Sequence, residues 1–427
     1  MYEVKESAKE KIILVTIISR KKGFNSWEPE DIAAEFNELA NSTNILVVDE
    51  VLAKIDAPSP VSFIGKGKAE EIHQLIHAHN EEVDAVFFSE SLSSTQQRNL
   101  EEILGVKTID RTQLILDIFA HRAHSNEGKL QVELAQLEYL LPRLSGKGII
   151  LSRLGGGIGT RGPGEQKLEV DRRRIRKRIE RVKKDLEKAK ERRAHLRRNR
   201  QEHSVATVAL VGYTNAGKST LLNNLTGSEV TADNRLFCTL DPTSRGYVLS
   251  NNQKVLFVDT VGFIHNLPHN LVEAFKATLE EVQQADLLVH VLDVSSLLAK
   301  EQYDAVYEVL KELGCENKPV ITALNKDDLV DDRYMINRFK NSITDSVVVS
   351  GLKRQGFALL DAALCEELNN LVEIVDIFIP YKEMGLVSEL YKDGKVLERE
   401  DTPAGIRIKA QIPTSLKGML VQFLENV

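Results

Sequence analysis

Three short strings of the sequence carry residue types suited to binding a nucleoside triphosphate. Residues 212–219 match G-x-x-x-x-G-K-S, residues 259–262 match D-x-x-G, and residues 325–328 match N-K-x-D. The first string alone fits a phosphate-binding loop for either ATP or GTP, and each of the other two is weak by itself. All three together, in this order and at these separations, indicate a guanine-nucleotide switch that hydrolyses GTP to GDP and phosphate.

The phosphate loop supplies most of the predicted nucleotide contacts. It follows an apolar run and opens a helical segment, so its backbone N–H groups and the helix N-terminus should face the phosphates. Lys218 is predicted to reach the β- and γ-phosphates, and the Ser219 hydroxyl to ligate Mg²⁺. The loop residues predicted to contact the nucleotide are Gly212, Tyr213, Thr214, Asn215, Ala216, Gly217, Lys218, Ser219 and Thr220.

The second string is predicted to face the metal and the γ-phosphate. Asp259 ends an apolar strand and should reach Mg²⁺ through water, while Gly262 can offer its backbone N–H to the γ-phosphate without a side chain in the way. Loss of that phosphate would then release the following loop. A threonine that senses both the γ-phosphate and Mg²⁺ should precede Asp259. Thr239 and Thr243 are the candidates, and the spacing favours Thr239.

The third string is predicted to select guanine. The Asp328 carboxylate can accept hydrogen bonds from guanine N1–H and the 2-amino group together, and adenine lacks this donor pair. Asn325 and Lys326 are predicted to brace the base and the loop. A further segment after an apolar strand is predicted to bond guanine O6 through its backbone. It comprises Ser350, Gly351 and Leu352.

Position 263 bears on how hydrolysis occurs. Many GTPases carry a glutamine there that orients the attacking water, whereas this chain has Phe263, which cannot do so. Two sources of help stay open, a K⁺ ion bound through Asn215 or a group from a partner, and a partner group can accelerate hydrolysis by about 10³–10⁵-fold. For Asn215 a loop-stabilising hydrogen bond is the alternative. The predicted catalytic residues are Lys218, Thr239, Gly262 and Asn215.

Composition and cysteine usage narrow the class of protein. A chain of 427 residues with 42% hydrophobic and 28% charged residues is typical of a soluble protein with two to four domains. Three scattered cysteines argue against a disulfide framework or a zinc site. The apolar stretches are too short to span a bilayer, and no signal segment opens the chain. We therefore expect a cytoplasmic protein, a monomer without stable membrane insertion.

A basic block interrupts an otherwise acidic chain. Residues 171–200 hold 16 Lys or Arg against five Asp or Glu, within a protein whose formal net charge is −7. This imbalance exceeds what local ion pairs can neutralise, so the block is predicted to contact a polyanion. A solvated helix face is the alternative.

Two apolar stripes with alternating steps of three and four predict an antiparallel helical hairpin. They run through residues 130–144 and 175–196, and Pro142 should end or bend the first helix. The glycine-dense connector between them is predicted to be a mobile cationic loop that enters a narrow RNA-lined space, with a plain flexible linker as the alternative. The predicted RNA contacts are Arg153, Gly155, Gly156, Gly157, Thr160, Arg161, Gly162, Gly164, Arg172 and Arg173.

Taken together, these segments resemble the HflX-type ribosome-associated GTPases. The resemblance is carried by residues 117–123, 127–137, 155–165, 212–219 and 259–264, and it covers nearly the whole chain. It implies GTP or GDP with Mg²⁺ as ligands and the large ribosomal subunit as partner, with no role for DNA. It also implies that the glycine loop reaches 23S-type rRNA near the peptidyl-transferase region, and that the protein splits or rescues stalled or inactive ribosomes under stress.

The chain departs from the family pattern at residues 146–150 and at Cys238. Two alternatives therefore stay open, a housekeeping member and a specialised paralogue, for example one that confers tolerance to ribosome-targeting antibiotics. A GTP-gated ribosome or rRNA binder in subunit assembly, with incidental hydrolysis, is the rival function. A second nucleotide or RNA contact at residues 65–68 is the weaker interpretation of that glycine-lysine turn, and an ATP-driven RNA-remodelling enzyme rests on such turns alone.

The predicted fold class is α/β, with four regions. Alternating strands and helices indicate an N-terminal α/β domain over residues 1–115. The helical hairpin follows over 116–203, with its glycine-rich loop at 145–165. A GTPase domain with a mostly parallel sheet is predicted for 204–371, with the nucleotide at the carboxyl ends of the strands. A small C-terminal α+β domain over 372–427 completes the chain.

Overall fold

The computed structural model describes residues 10–19, 27–43, 45–79, 82–144, 163–202, 205–227, 236–265, 268, 276–413, 420 and 423. The chain divides into two compact units, the first built mainly from residues up to Lys188 and the second mainly from residues after it. The described strands are β1 (Glu10–Ser19), β2 (Ile45–Ile55), β3 (Ala85–Phe88), β4 (Lys107–Ile109), β5 (Ala206–Val211), β6 (Thr243–Val248), β7 (Lys254–Asp259), β8 (Leu287–Asp293), β9 (Val320–Asn325), β10 (Ser346–Val348), β11 (Val372–Pro380), β12 (Lys395–Thr402) and β13 (Gly405–Pro413). The described helices are α1 (Pro29–Asn41), α2 (Lys66–Ala78), α3 (Ser94–Leu104), α4 (Arg111–Arg122), α5 (Asn126–Arg143), α6 (Pro163–Glu202), α7 (Lys218–Thr226), α8 (Lys276–Gln284), α9 (Ala299–Glu312), α10 (Arg333–Ser342), α11 (Phe357–Glu367) and α12 (Met384–Asp393).

The N-terminal region is a parallel sheet in the order β2-β1-β3-β4, with helices between the strands. β1 lies inside the sheet and is apolar along most of its length, because both faces of a parallel sheet are covered. Its residues Ile12, Ile13 and Val15 are fully buried. The prediction of an N-terminal α/β domain is confirmed. β4 has only three residues, too few to show a period in the sequence.

The helical region contains α5 and the 40-residue α6. α5 ends at Arg143, one residue after Pro142. The predicted apolar stripe of this helix is only half-buried, and a neighbouring face that includes Val132, Ala135 and Tyr139 is the buried one. Two ion pairs join the helices, Arg178 with Glu133 at 2.5 Å and Lys183 with Glu138 at 2.8 Å.

Most of the predicted RNA-contact loop lies outside the described residues. This applies to the segment 145–162, so the antiparallel direction of the hairpin and the loop's role stay predictions. It holds Arg153, Gly155, Gly156, Gly157, Thr160, Arg161 and Gly162. Of the remaining predicted contacts, Gly164 belongs to the first turn of α6, and Arg172 and Arg173 follow two turns later.

The GTPase region is a six-stranded sheet in the order β10-β9-β8-β5-β7-β6. All its strand pairs are parallel except β6 with β7, so the predicted mostly parallel sheet is confirmed. Val208, Phe257 and Ala323 in its core are fully buried. The carboxyl ends of parallel strands lie at one edge of a sheet, and the three sequence strings begin at the ends of β5, β7 and β9.

The C-terminal region is a three-stranded antiparallel sheet in the order β11-β13-β12. The face that packs with α12 is apolar, with Ile377, Ile379 and Ile408 fully buried. The small C-terminal domain predicted from the strand and helix pattern is present. None of the described helices in the chain is long and apolar enough to cross a membrane.

Candidate nucleotide-binding site

The phosphate loop leaves β5 and turns into α7 around a buried lysine. The Lys218 ammonium donates hydrogen bonds to the carbonyl oxygens of Gly212 at 3.0 Å and Tyr213 at 2.8 Å. Burial lowers the pKa of Lys218 to about 8, because desolvation penalises the charged form, and the nearby Asp259 carboxylate only partly offsets this. The loop therefore holds a desolvated ammonium against two of its own carbonyl oxygens, where an anion such as a phosphate would stabilise the charge.

Two glycines of this loop are required by their surroundings. A Cβ at Gly212 would lie 2.3 Å from the carbonyl oxygen of Val291, and one at Gly217 would lie 2.4 Å from the Asn325 side-chain nitrogen. Both residues also have positive φ, 152° and 93°, which side chains disfavour. The loop can thus pass close to β8 and to the end of β9 only because no side chains stand there.

Three oxygen-bearing side chains meet beside Lys218. The Ser219 hydroxyl donates to Asp259 Oδ2 at 2.6 Å, the Thr239 hydroxyl donates to the same oxygen at 2.9 Å, and the two hydroxyls are 2.9 Å apart. Asp259 is fully buried, and its Oδ1 has no hydrogen-bond partner among the described residues. Burial raises the pKa of Asp259, while Lys218 opposes that rise.

This oxygen cluster fits a Mg²⁺ ion. Mg²⁺ prefers oxygen ligands, and hydroxyls with one carboxylate and water are a usual set for it in nucleotide sites. Of the two candidate threonines, Thr239 is the one whose hydroxyl reaches the Asp259 carboxylate. Thr243 begins β6 and is paired with Asp259 through the backbone. No group of three or more His, Cys, Asp or Glu side chains within the described part of the chain offers another metal site.

Residues 261–265 lie against the phosphate loop. A Cβ at Gly262 would approach Thr214 Cα to 2.8 Å and Lys218 Nζ to 3.0 Å, so only glycine fits there. The Thr214 N–H donates to the Phe263 carbonyl oxygen at 2.7 Å, and the Phe263 N–H donates to the Gly212 carbonyl oxygen at 3.1 Å. The Phe263 side chain is 1% exposed. Residue 263 therefore serves as a buried anchor, and its side chain cannot orient a water molecule.

A tyrosine hydroxyl reinforces this pairing. The His265 N–H donates to Tyr213 Oη at 2.8 Å, and Tyr213 and Phe263 also form an isolated parallel bridge. Nothing in the sequence indicates the bridge between Tyr213 and Phe263, because these residues are 50 positions apart and neither belongs to a strand.

The residues predicted to select guanine meet at the ends of β9 and β10. Asn325 donates to the Ala216 carbonyl oxygen at 2.8 Å and accepts from the Gly351 N–H at 2.8 Å, so it joins the phosphate loop to the segment after β10. The Ser350 hydroxyl donates to Asp328 Oδ1 at 2.5 Å, which orients that carboxylate. The Gly351 N–H is therefore engaged by Asn325, and the backbone contact of residues 350–352 with guanine O6 stays a prediction.

The remaining predicted residues occupy the same edge of the sheet. Asn215 has a left-handed backbone, with φ of 59°. The K⁺ ion and the loop-stabilising hydrogen bond both stay predictions for this residue. Thr220 lies in the first turn of α7. Sequence reasoning missed Asn224, whose amide donates to the Gly351 carbonyl oxygen at 2.7 Å and holds that segment from its other side.

Comparison with known proteins agrees with this geometry. Family models match residues 30–120 as "GTP-binding GTPase N-terminal", 122–200 as "GTP-binding GTPase Middle Region" and 207–326 as "50S ribosome-binding GTPase". The GTPase HflX of Caldanaerobacter subterraneus subsp. tengcongensis is 46% identical, over 97% of this chain and 94% of its own length. The chain belongs to the HflX family of GTPases.

A second relative in the same family, and one solved structure, are also similar to this chain. The GTPase HflX of Escherichia coli is 43% identical, with 84% of each chain covered. Among solved structures, a GTP-binding protein of Sulfolobus solfataricus in complex with GDP is 26% identical, covers 84% of this chain and 99% of its own, and has a TM-score of 0.43. The resemblance noted in the motifs is confirmed, and the protein is a GTP-hydrolysing member of a family of ribosome-binding GTPases.

Proposed function

We propose that the GTP-bound protein docks on the large ribosomal subunit, splits or rescues stalled or inactive ribosomes under stress, and is released by GTP hydrolysis. The observation that carries this proposal is α6, which joins the glycine-rich segment to the strand before the phosphate loop. α6 has 40 residues, equivalent to about 60 Å of continuous helix. Its exposed basic residues include Arg173, Arg174, Lys177 and Arg181.

The basic residues of α6 suit a phosphate backbone. Only some of them have carboxylate partners within the described chain, such as Arg178 with Glu133. The others keep their charge in solvent, where contacts with RNA phosphates release counterions and strengthen binding. The helix would lie along rRNA while the glycine-rich segment, through its predicted contacts, enters the peptidyl-transferase region.

The site's own residues account for binding of the phosphates, the base and the metal. Lys218 pairs with the β- and γ-phosphates, and Asp328 with Ser350 holds guanine. Ser219 and Thr239 would hold Mg²⁺ with Asp259 behind them, and when bound the ion neutralises charge that develops on the phosphates. Gly262 would present its backbone N–H to the γ-phosphate once the segment around it has moved from its present pairing.

The attacking water needs a group from outside the described site. Phe263 is buried and apolar, so it neither orients nor polarises water. We infer that docking on the subunit supplies the missing group, or that a K⁺ ion bound through Asn215 does so. The rival function, a nucleotide-gated binder with incidental turnover, is favoured by the same feature, since a protein without a water-orienting residue hydrolyses GTP slowly alone.

GTP turnover with and without purified large subunits, in K⁺ and in Na⁺ buffers, separates these alternatives. We expect strong stimulation by the subunit, and an additional K⁺ dependence if Asn215 binds the ion. Ribosome splitting should be followed in parallel by light scattering, with Lys218→Ala as the variant that binds nucleotide poorly. If large subunits leave turnover unchanged in both salts and no splitting is seen, the nucleotide-gated binder is correct. If splitting proceeds with unchanged turnover, the protein splits ribosomes but hydrolysis is not the resetting step.

A further inference from the structure

Lys326 has an unusual conformation for a residue between two nucleotide-facing side chains. Its φ is 64°, in the left-handed region that few residues other than glycine adopt. It follows Asn325 at the end of β9 and precedes the short 3₁₀ turn Asp327–Leu329. A left-handed backbone at a residue other than glycine persists only where contacts with the surrounding structure hold it, so we expect the Lys326 side chain to have a defined partner.

That partner is Asp293, at the end of the neighbouring strand β8. The Lys326 ammonium lies 2.6 Å from Asp293 Oδ2, and the two side chains are 25% and 15% exposed. The strands are in register here, since Asp293 is paired with Asn325, and the Val294 N–H donates to the Asn325 carbonyl oxygen at 3.1 Å. The ion pair therefore spans the edge of the sheet where the nucleotide-binding residues stand.

The carboxylate of Asp293 is itself held in place. Its other oxygen, Oδ1, accepts hydrogen bonds from the Ser295 N–H at 3.0 Å and the Ser295 hydroxyl at 2.5 Å. The two carboxylates that follow Lys326 in the chain have other partners, since Asp327 pairs with Arg333 and Asp328 accepts a hydrogen bond from the Ser350 hydroxyl. The ammonium is thus directed across the strand ends to Asp293, away from the carboxylate proposed to bind guanine.

We propose that Asp293 is a positioning residue for guanine recognition, acting through Lys326. By holding the ammonium it lays the four-carbon stem of Lys326 across the sheet edge, where the stem offers a flat apolar surface to one face of the base. Without Asp293 the long side chain would regain its rotamer freedom and lose it again on each binding event. The inference rests on the proposed placement of the base at Asp328.

Nucleotide affinity in Asp293→Asn tests this role, with Asp304→Asn as the matched control. Asp304 is an exposed residue of α9, so the control removes the same charge from the same domain. We expect Asp293→Asn to bind GDP about 3- to 10-fold more weakly in calorimetry, the cost of ordering one flexible side chain. KM for GTP should rise by a similar factor with kcat nearly constant, because base contacts are the same before and during reaction.

Combination with Lys326→Met separates positioning from general stability. Methionine keeps an apolar stem but has no charge, so Asp293→Asn should cost nothing further in that background. An equal loss of affinity in both backgrounds would overturn the proposal, as would GDP binding by Asp293→Asn at the wild-type level. If Asp293→Asn does not fold, Ser295→Ala is measured in the same way. It removes the hydroxyl bond to Oδ1 but keeps the backbone N–H bond and the charge, so it should show a smaller loss of the same kind.

Asp328→Asn distinguishes failure of this inference from failure of the base placement. An amide at position 328 should weaken GDP binding and favour xanthosine diphosphate, which presents a carbonyl where guanine has its amino group. If Asp328→Asn leaves this preference unchanged, the base is not at Asp328, and both the placement and the role of Asp293 are wrong. If Asp328→Asn behaves as expected and Asp293→Asn has no effect, only the role of Asp293 is wrong.

Discussion

Raising the pH above 8 is expected to weaken nucleotide binding, because the cation that faces the phosphates is then lost. Lys218 is fully buried with carbonyl oxygens as its direct partners, and desolvation lowers its pKa from 10.5 to about 8. A phosphate group beside the ammonium stabilises the charged form and raises that pKa again. The nucleotide complex therefore carries a protonated Lys218 over a pH range in which the free protein does not.

The size of the effect follows from the pKa of the free protein. With that value, binding should take up about 0.5 proton at pH 8 and about 0.9 proton at pH 9, and little at pH 7. Affinity should be nearly constant below pH 7.5 and fall by about tenfold for each pH unit above 8, since one pKa unit corresponds to about 1.4 kcal/mol. The affinity continues to fall until the pH reaches the raised pKa of Lys218 in the nucleotide complex.

Titration calorimetry of GDP in two buffers with different ionisation enthalpies measures this uptake directly. The difference in apparent binding enthalpy between HEPES and Tris at one pH gives the number of protons taken up. Lys218→Arg is the matched control, because a guanidinium stays charged throughout this range and should show no uptake where it still binds. Binding that takes up no proton at pH 8 to 9, with a constant Kd, would refute the assignment of a desolvated ammonium to the phosphate site.

Three further changes have defined outcomes. Deletion of residues 155–164 should preserve GTP affinity in calorimetry but abolish subunit separation in sedimentation; unchanged splitting would exclude the loop. Gly262→Ala places a methyl group against Thr214 and Lys218. Subunit-stimulated turnover should therefore fall at least about tenfold while GDP affinity is kept. Normal turnover would exclude the proposed contact between the Gly262 N–H and the γ-phosphate. Burial lowers the pKa of His290 to about 3, against 6.5 when unfolded, so stability is lost as the pH falls below 6.5, by about 1.4 kcal/mol at pH 5.5. Denaturant unfolding at pH 7.5 and 5.5 should show this loss in wild type and lack it in His290→Leu; parallel curves would contradict it.

The residues of the candidate nucleotide site could be picked out from the sequence because their chemistry is local in the chain. A phosphate loop needs glycines, a lysine and a hydroxyl within eight positions, and the structure gathers these residues as expected. The choice of Thr239 over Thr243 rested on its separation from Asp259, and the structure brings that hydroxyl to the carboxylate. The edge of the sheet at which these residues meet could also be anticipated, since a parallel sheet places the ends of β5, β7 and β9 at one edge.

Other features depend on contacts between distant segments. The half-buried stripe of α5 shows this, because the helix has two apolar faces and periodicity does not tell which one packs against α3 and α4. The pairing of Phe263 with Gly212 and Thr214 is made by backbone atoms, whose hydrogen bonds leave no mark on residue type. Asn224 and Asp293 are ordinary polar residues in the sequence, and only the fold shows what their side chains contact.

The backbone pairing of Phe263 with the phosphate loop has a consequence for how the protein can be observed. The amide hydrogens of Phe263 and Thr214 are both buried in hydrogen bonds, so they should exchange with solvent slowly while the two segments stay together. If the γ-phosphate draws Gly262 towards itself as proposed, the Phe263 bond has to break, and its exchange should accelerate. Hydrogen-exchange mass spectrometry of the peptide around Phe263 would therefore report the nucleotide state of the protein on the ribosome without any label on GTP.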